Sequence, residues 1–291
     1  MDRLEILKTY KIFIGGKFPR TESGRYYTPE GKGGKPLGNI CQSSRKDFRN
    51  SVVAAHSALG GWATRAAFNR SQILYRIGEM LEGRRAQFEA ELIQQGVTAS
   101  AAKSEVEAAI DLCVYYAGWC DKFQQVFSAV NPVSSSYFNF SVYEPVGVVA
   151  AIAPEKSSLA GLLGTILPII AGGNSAVVLA SESRPLCSVT LAEVLATSDL
   201  PGGVVNILTG NREELLPFMV SHMNVNSFVA SDLKPAEKQL AREESISNLK
   251  RIVLLKDDPA KTESPYSILS TQEVKTTWHP IESSIAGGGK Y

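Results

Sequence analysis

The chain has 291 residues, of which 44% are apolar and 20% charged, with a formal net charge of +1. This is the composition of a globular protein with a sizeable core, too apolar and too evenly charged for a disordered one. The balanced charge gives no field to steer nucleic acid or an anionic bilayer, and no basic stripe with interleaved aromatics occurs.

The opening stretch MDRLEILKTYKIFIGG carries acidic residues and no long apolar core, which excludes a secretory signal. Tyr10 to Phe18 reads as two β-prone runs around Gly15-Gly16, a hairpin by pattern. Ser43 to Gly60 begins a helical block whose apolar face is expected to be Ser51, Val52, Val53, Ala55, His56 and Leu59. From Asn69 to Gln87 the residues Ile73, Leu74, Ile77, Met80 and Leu81 recur at helical spacing, and amphipathic helices continue over 88–96 and 99–123. Tyr137 to Tyr143, YFNFSVY, alternates aromatic and polar residues with period two, the pattern of a half-exposed strand.

The stretch from Pro145 to Gly210 then reads strand, helix, strand, helix, strand. Val148 to Ala153 is a short apolar run without polar alternation, the mark of a strand buried on both faces. Ser157 to Ala171 is apolar and too long for a strand, so a buried helix is expected, stopped at Gly172-Gly173-Asn174. Ala176 to Leu179 and Val204 to Leu208 are further strands, with a helix from Pro185 to Ser198 between them. Beyond Gly210, Asn211 with Glu214 three residues on opens a helix to about His222. Asn226 to Ala230 is a strand, Pro235 to Ile246 a helix and Leu249 to Leu255 a fifth strand. Strands alternating with helices of this length predict a doubly wound parallel α/β sheet with right-handed crossovers.

No charged residue occurs between Lys156 and Glu182, a gap long enough to cross a bilayer. Pro168 and the Gly172–Ser175 break divide it into a helix and a strand, so no membrane span is expected. Cys41, Cys113, Cys120 and Cys187 lack metal-ligand spacing and read as small buried apolar residues, reduced in a cytoplasmic setting. His56, His222 and His279 are scattered, and no metal site is expected.

The central stretch resembles the coenzyme-binding domain of the aldehyde dehydrogenase superfamily. EPVGVV at Glu144 to Val149, the Gly-Asn and VVL phrases over Gly173 to Leu179, LAEVL, and LPGGVVNILTG at Leu200 to Gly210 stand in family order and spacing; SNLKR at Ser247 to Arg251 extends the match. The resemblance implies a Rossmann-like doubly wound sheet, an N-terminal helical segment (residues 1–136) packed on it, and a small β assembly sheet. The coenzyme-type domain with its leading strand is then 137–255. Lys256 to Ser270, polar and with two prolines, reads as a linker where the family carries its catalytic domain. Residues 271–280 resemble the family's last, subunit-assembly strand, and 281–291 form a Ser/Gly-rich tail. The arrangement looks like the incomplete second repeat of two-repeat family members.

Family chemistry needs a cysteine thiolate, an oxyanion donor and a general base. No cysteine follows Cys187, whose expected role is packing. The phrase that carries the oxyanion asparagine reads Pro154-Glu155-Lys156-Ser157-Ser158, with lysine in that place. The stretch that carries the base reads Leu255-Lys256-Asp257-Asp258. No catalytic residue is therefore assigned. The family's K-P-x-E ribose phrase reads Leu179-Ala180-Ser181-Glu182, so the cofactor contacts left by the resemblance are Glu182, Ser181 and Pro154. Glu182 is either a vestigial ribose contact or a plain solvated charge. The turn after the fourth strand, Ala230-Ser231-Asp232, places a carboxylate where pyrophosphate would sit. NAD or NADP is expected to bind weakly or not at all. The expectation is a catalytically silent subunit. It associates with a full-length aldehyde dehydrogenase, or with itself, through Tyr137 to Tyr143 and Thr271 to Trp278. The alternatives are an NAD(P)-dependent oxidoreductase with an altered site around Lys156 and Glu182 or a partner-supplied nucleophile, and a nucleotide-binding regulator without turnover.

Overall fold

The structure, a computed structural model, describes residues 6–281; all but the first residue of the Ser/Gly tail lies outside that range. Two short strands, β1 (Thr9–Tyr10) and β2 (Tyr26–Tyr27), flank β3 (Asn39–Cys41) in a small sheet. Between them the Gly15-Gly16 turn forms, with Gly15 and Gly16 at φ 61° and 78°, the left-handed pair that a tight type I′ turn needs. Ile14 and Lys17 exchange both backbone hydrogen bonds at 3.0 Å. The expected hairpin is thus a single bridged turn, and Phe13 instead exchanges two backbone bonds with Ile207, covering a sheet edge.

Four helices follow: α1 (Arg45–Ala63), α2 (Ala67–Gly83), α3 (Arg85–Gln94) and α4 (Ala99–Trp119). Ser44 caps α1 in a reciprocal box with Asp47. α1 buries Ser51, Val52 and Ala55 of the expected face, with Phe48 and Trp62 one turn beyond each end of it and Leu59 half-buried against the core; Val53 and His56 point to solvent. A short helix α5 (Phe123–Phe127) leads to β4 (Ala129–Asn131) and the long strand β5 (Tyr137–Pro145).

The parallel sheet is built from β6 (Val148–Ile152), β7 (Ser175–Leu179), β8 (Val205–Leu208), β9 (Ser227–Ala230) and β10 (Arg251–Leu254). Its spatial order is β10-β9-β6-β7-β8, all pairs parallel. The crossovers are α6 (Ala160–Ala171), α7 (Leu186–Ala196), α8 (Arg212–Ser221) and α9 (Pro235–Ser245). Every residue of β6 to β9 is buried, as continuous apolar runs require. Alternate residues serve two cores: Val149 and Ala151 face the layer of α2, α4, α6 and α7, while Val148, Ala150 and Ile152 face α1 and α8. All twelve residues of α6 are buried. Its apolarity belongs to a helix between layers, and among the described residues no helix is long and apolar enough to cross a membrane.

The segment 256–270, expected as a linker, folds back as a strap across α6 and α4. Ala260 and Ile268 are buried, a one-turn helix α10 forms at Tyr266–Leu269, and the Tyr116 hydroxyl donates to the Thr262 carbonyl at 3.3 Å. At Gly164 an added Cβ would run into the Pro259 carbonyl, so the strap sits directly on the helix backbone. The last strand, β11 (Gln272–Pro280), pairs antiparallel with β5 along all nine residues, giving an outer sheet of order β11-β5-β4. The fully buried Asn174 ties the two sheets together. Its Oδ1 accepts from the Gly147 N–H at 2.9 Å, and its Nδ2 donates to the Thr271 carbonyl at 3.0 Å.

Candidate functional site

In the parallel sheet the chain runs outward from β6 through β7 and β8, then returns to the other side of β6 for β9 and β10. Strand order therefore reverses between β6 and β9, and the crevice beyond their carboxyl ends is where open α/β sheets bind ligands. A cavity of 280 Å³ lies there, lined by Pro154, Lys156, Ser157, Ser231 and Asp232, with Leu255 to Pro259 forming its far wall. The first and last sequence-picked stretches, Pro154–Ser158 and Leu255–Asp258, thus come together.

The other two picked residues lie elsewhere. A neighbouring cavity of 380 Å³ is lined by Glu155, Glu182, Ser183, Asn211, Arg212, Glu213 and Lys234. Glu182 is not a plain solvated charge. It accepts from the Asn211 side-chain amide at 3.2 Å and from the Arg212 N–H at 3.4 Å, so it sits at the positive end of α8. Asn211 itself caps that helix through Glu214, as the sequence pattern predicts. Ser181 is 2% exposed and donates to Glu155 Oε2 at 2.9 Å.

Glu155 turns back over the loop after β7. Its carboxylate also accepts from the Glu182 N–H at 3.2 Å and from the Ser183 hydroxyl at 2.9 Å. Two further carboxylates hold two more helix starts. Glu105 of α4 accepts from the Leu159 N–H at 2.8 Å and the Ala160 N–H at 3.4 Å, at the head of α6. Glu237 accepts from the Lys234 N–H at 2.7 Å, at the head of α9, and pairs with Arg212 at 3.3 Å. Glu155 and the three helix-end carboxylates thus take up backbone donors bordering the crevice. Nearby, burial and then the Glu182 and Glu155 charges push the Tyr27 hydroxyl well above its usual range, and it donates to the Glu182 carbonyl at 3.1 Å.

The four thiols are buried. Burial raises the Cys113 thiol, and pushes Cys120 up to about 12. Cys187 occupies the first turn of α7, a position that ordinarily favours thiolate. Burial, followed by the Glu91 and Glu105 charges, outweighs that effect and holds it well above the ordinary thiol value. Among the described residues no three His, Cys, Asp or Glu side chains converge on a point that would hold a metal.

The profile of the aldehyde dehydrogenase family matches residues 19–256. This chain belongs to the aldehyde dehydrogenase family. It is 29% identical to a putative aldehyde dehydrogenase, DhaS, of Bacillus subtilis over 84% of its own length and 50% of that protein's. It is 30% identical to retinal dehydrogenase 2 of Gallus gallus, over 86% of this chain and 49% of the relative. Among solved structures, the NAD+ complex of an aldehyde dehydrogenase from Bacillus cereus superposes with a TM-score of 0.80 at 25% identity, covering 85% of this chain and 50% of that one. PnpE of Pseudomonas sp. WBC-3 superposes with a TM-score of 0.81 at the same identity and coverage. The chain spans about half the length of these relatives. Within the family's fold, Glu105 and Glu237 are the site residues that sequence reasoning missed. Glu237 had a signal, since it stands three residues after Lys234 at the head of a helix. Glu105 had none, because it reaches across 54 positions to Leu159.

Proposed function

We propose that this chain is a catalytically silent aldehyde dehydrogenase family member. In this reading it serves as an assembly subunit, joining a complete aldehyde dehydrogenase or a second copy of itself through the β11-β5-β4 sheet. The observation that carries the reading is the set of four carboxylates, Glu105, Glu155, Glu182 and Glu237, on backbone donors around the crevice. A dinucleotide's phosphates would seek those same N–H groups and would meet like charge at each. Asp232, which lines the central cavity, adds another. The residues present therefore suit NAD or NADP poorly. All four cysteines are buried, and burial raises the thiols of Cys113, Cys120 and Cys187, so none of them offers an exposed thiolate to attack a carbonyl.

The test has two arms. The purified chain is expected to give no NADH from aldehydes and no thermal shift with millimolar NAD or NADP. The tagged chain, purified from its own cells and weighed under native conditions, is expected to emerge in a stoichiometric complex. Turnover by the chain alone would sink the silent-subunit reading, and a bare monomer would sink the assembly reading.

One observation favours a second reading, an NAD(P)-dependent oxidoreductase whose nucleophile comes from a partner. The 280 Å³ cavity has the exposed Lys156 on its wall, together with a Ser231 hydroxyl that has no hydrogen-bond partner. NADH formation that Lys156→Ala abolishes would support it.

A further inference from the structure

A cavity of 290 Å³ lies under the strap, walled by residues of α4, α6, the carboxyl end of the parallel sheet and the strap itself. Its existence follows from the sequence of α6. That helix is fully buried, yet toward the strap it presents Gly164, Thr165 and Pro168, which fill little space. At about 30 Å³ for each water-sized group, the volume holds roughly ten non-hydrogen atoms.

The polar groups of the wall have already used their hydrogens. The Thr165 hydroxyl donates to the Gly161 carbonyl at 2.8 Å and the Thr262 hydroxyl to the Asp258 carbonyl at 2.8 Å. The Ser270 hydroxyl donates to the Ser267 carbonyl at 2.7 Å, and the Tyr116 hydroxyl to the Thr262 carbonyl at 3.3 Å. A hydroxyl has one hydrogen, so these four oxygens keep only lone pairs for a further partner. The backbone adds a fifth acceptor. Pro168 has no N–H, so the Gly164 carbonyl one turn earlier lacks the donor that an α-helix ordinarily supplies. Both residues line the cavity and both are buried, where an acceptor without a donor is destabilising. Ile169, Val229 and Leu255 give the same cavity an apolar surface. Lys256 and Asp257, both exposed, also border it and offset each other in charge, so the interior decides what binds.

We infer that the cavity under the strap is a binding site for a small primary amine, held as its ammonium, with an apolar body against Ile169, Val229 and Leu255. An ammonium brings three donors and no acceptor, the complement of this wall. A carboxylate or an ether of the same size brings acceptors to acceptors, and an alcohol brings one hydrogen for five oxygens. The bound amine touches α6 on one side and the strap on the other, so it pins the strap to the body of the protein. The site uses neither the outer sheet nor the N–H groups of the crevice, and stands apart from the silent-subunit reading.

The experiment titrates the full chain by calorimetry at neutral pH with hexylamine, benzylamine and phenethylamine. Hexanoate, benzoate and phenylacetate carry similar bodies on an acceptor head and serve as controls. At least one amine is expected to bind with one-to-one stoichiometry, and none of the acids. The bound amine is also expected to slow tryptic cleavage after Lys261, an exposed residue of the strap. Thr165→Val keeps the shape of the wall and removes one acceptor, and affinity is expected to fall about tenfold or more. Pro168→Ala returns an N–H to the Gly164 carbonyl. It is expected to weaken the amine while the melting temperature holds or rises, which a merely disturbed fold would not do. Should Pro168→Ala lower that temperature instead, Thr165→Val decides alone. The inference is overturned if no amine binds, if the acids bind as well as the amines, or if Thr165→Val binds the amine like the wild type.

Discussion

The parallel sheet and the outer sheet treat the same problem, unsatisfied backbone, in opposite ways. In the parallel sheet the β8 edge is closed by Phe13, which exchanges two backbone bonds with Ile207, while the Gly15 N–H reaches Asn206 Oδ1 at 2.9 Å. The helix starts at the head of the sheet are closed by Glu105, Glu182 and Glu237. The outer sheet leaves the edge of β11 open and displays Tyr137, Phe138, Val274 and Trp278 to solvent. The parallel sheet thus closes its β8 edge and its helix starts from within the chain, although β10 at its other edge has no strand beyond it among the described residues, whereas the β11 edge stands open with aromatic side chains beside it. The stability of this chain should therefore reside almost wholly in the first, and its concentration dependence in the second.

The sharpest way to break the comparison is to truncate one aromatic in each region. Phe228, fully buried in β9, should cost about 3–5 kcal/mol on Phe228→Ala. Trp278→Ala should cost less than about 1 kcal/mol in the isolated chain. Urea midpoints at low concentration measure both, and comparable losses would show that the outer sheet carries part of the fold.

A second effect, of about 3 kcal/mol at most, separates the regions by pH. Burial lowers the Lys250 ammonium at the root of β10 to about 8 from 10.5, where it donates to the His222 and Val225 carbonyls at 2.8 Å. The unfolded chain holds that proton up to 10.5, so between pH 8 and 10.5 it binds more protons than the folded chain. Lys250 therefore adds stability as pH rises across that window, while the buried Cys113, Cys120 and Cys187 thiols, raised above 9.0, act in the opposite direction. The wild type should gain stability relative to Lys250→Met as pH rises, and a difference between the two that does not change with pH would contradict it.

A smaller effect tests the closure of the crevice. Glu155→Gln replaces a carboxylate that accepts from Ser181, Glu182 and Ser183 with an amide that turns donors toward donors. A loss of about 1–3 kcal/mol is expected, read as a lowered melting temperature. No change would mean that the loop after β7 holds itself without Glu155.

What the sequence disclosed follows the range of the forces involved. The four buried strands β6 to β9 were legible because a strand covered on both faces must be a continuous apolar run, and 148–152 and 175–179 are such runs. Asn211 with Glu214 was legible because a cap is local. The strap was read as a linker because only Pro259, Ala260 and Ile268 of its residues are buried, too few to impose a period on a polar, proline-bearing stretch. On α1 the buried Ser51, Val52 and Ala55 were legible, while Val53 joins the stripe because an apolar residue beside it completes a plausible period, although it points outward. In the site, replaced family residues marked where chemistry was lost, but what now fills the space depends on partners far apart in the chain. Glu105 meeting the head of α6 has no local signature.

The register of β11 on β5 also has a consequence during synthesis. Phe140 pairs with Thr277, a residue made 137 positions later by difference of the two numbers. At typical elongation rates the ribosome needs roughly 7–27 s to cover that distance. Throughout that interval YFNFSVY, uncharged and free of proline, extends from the nascent chain with one long edge bare, a composition prone to sticking to its like. The growing polypeptide thus has a window of exposure that closes only when β11 has been made and can pair, and translation speed between Phe140 and Thr277 sets how long that window lasts.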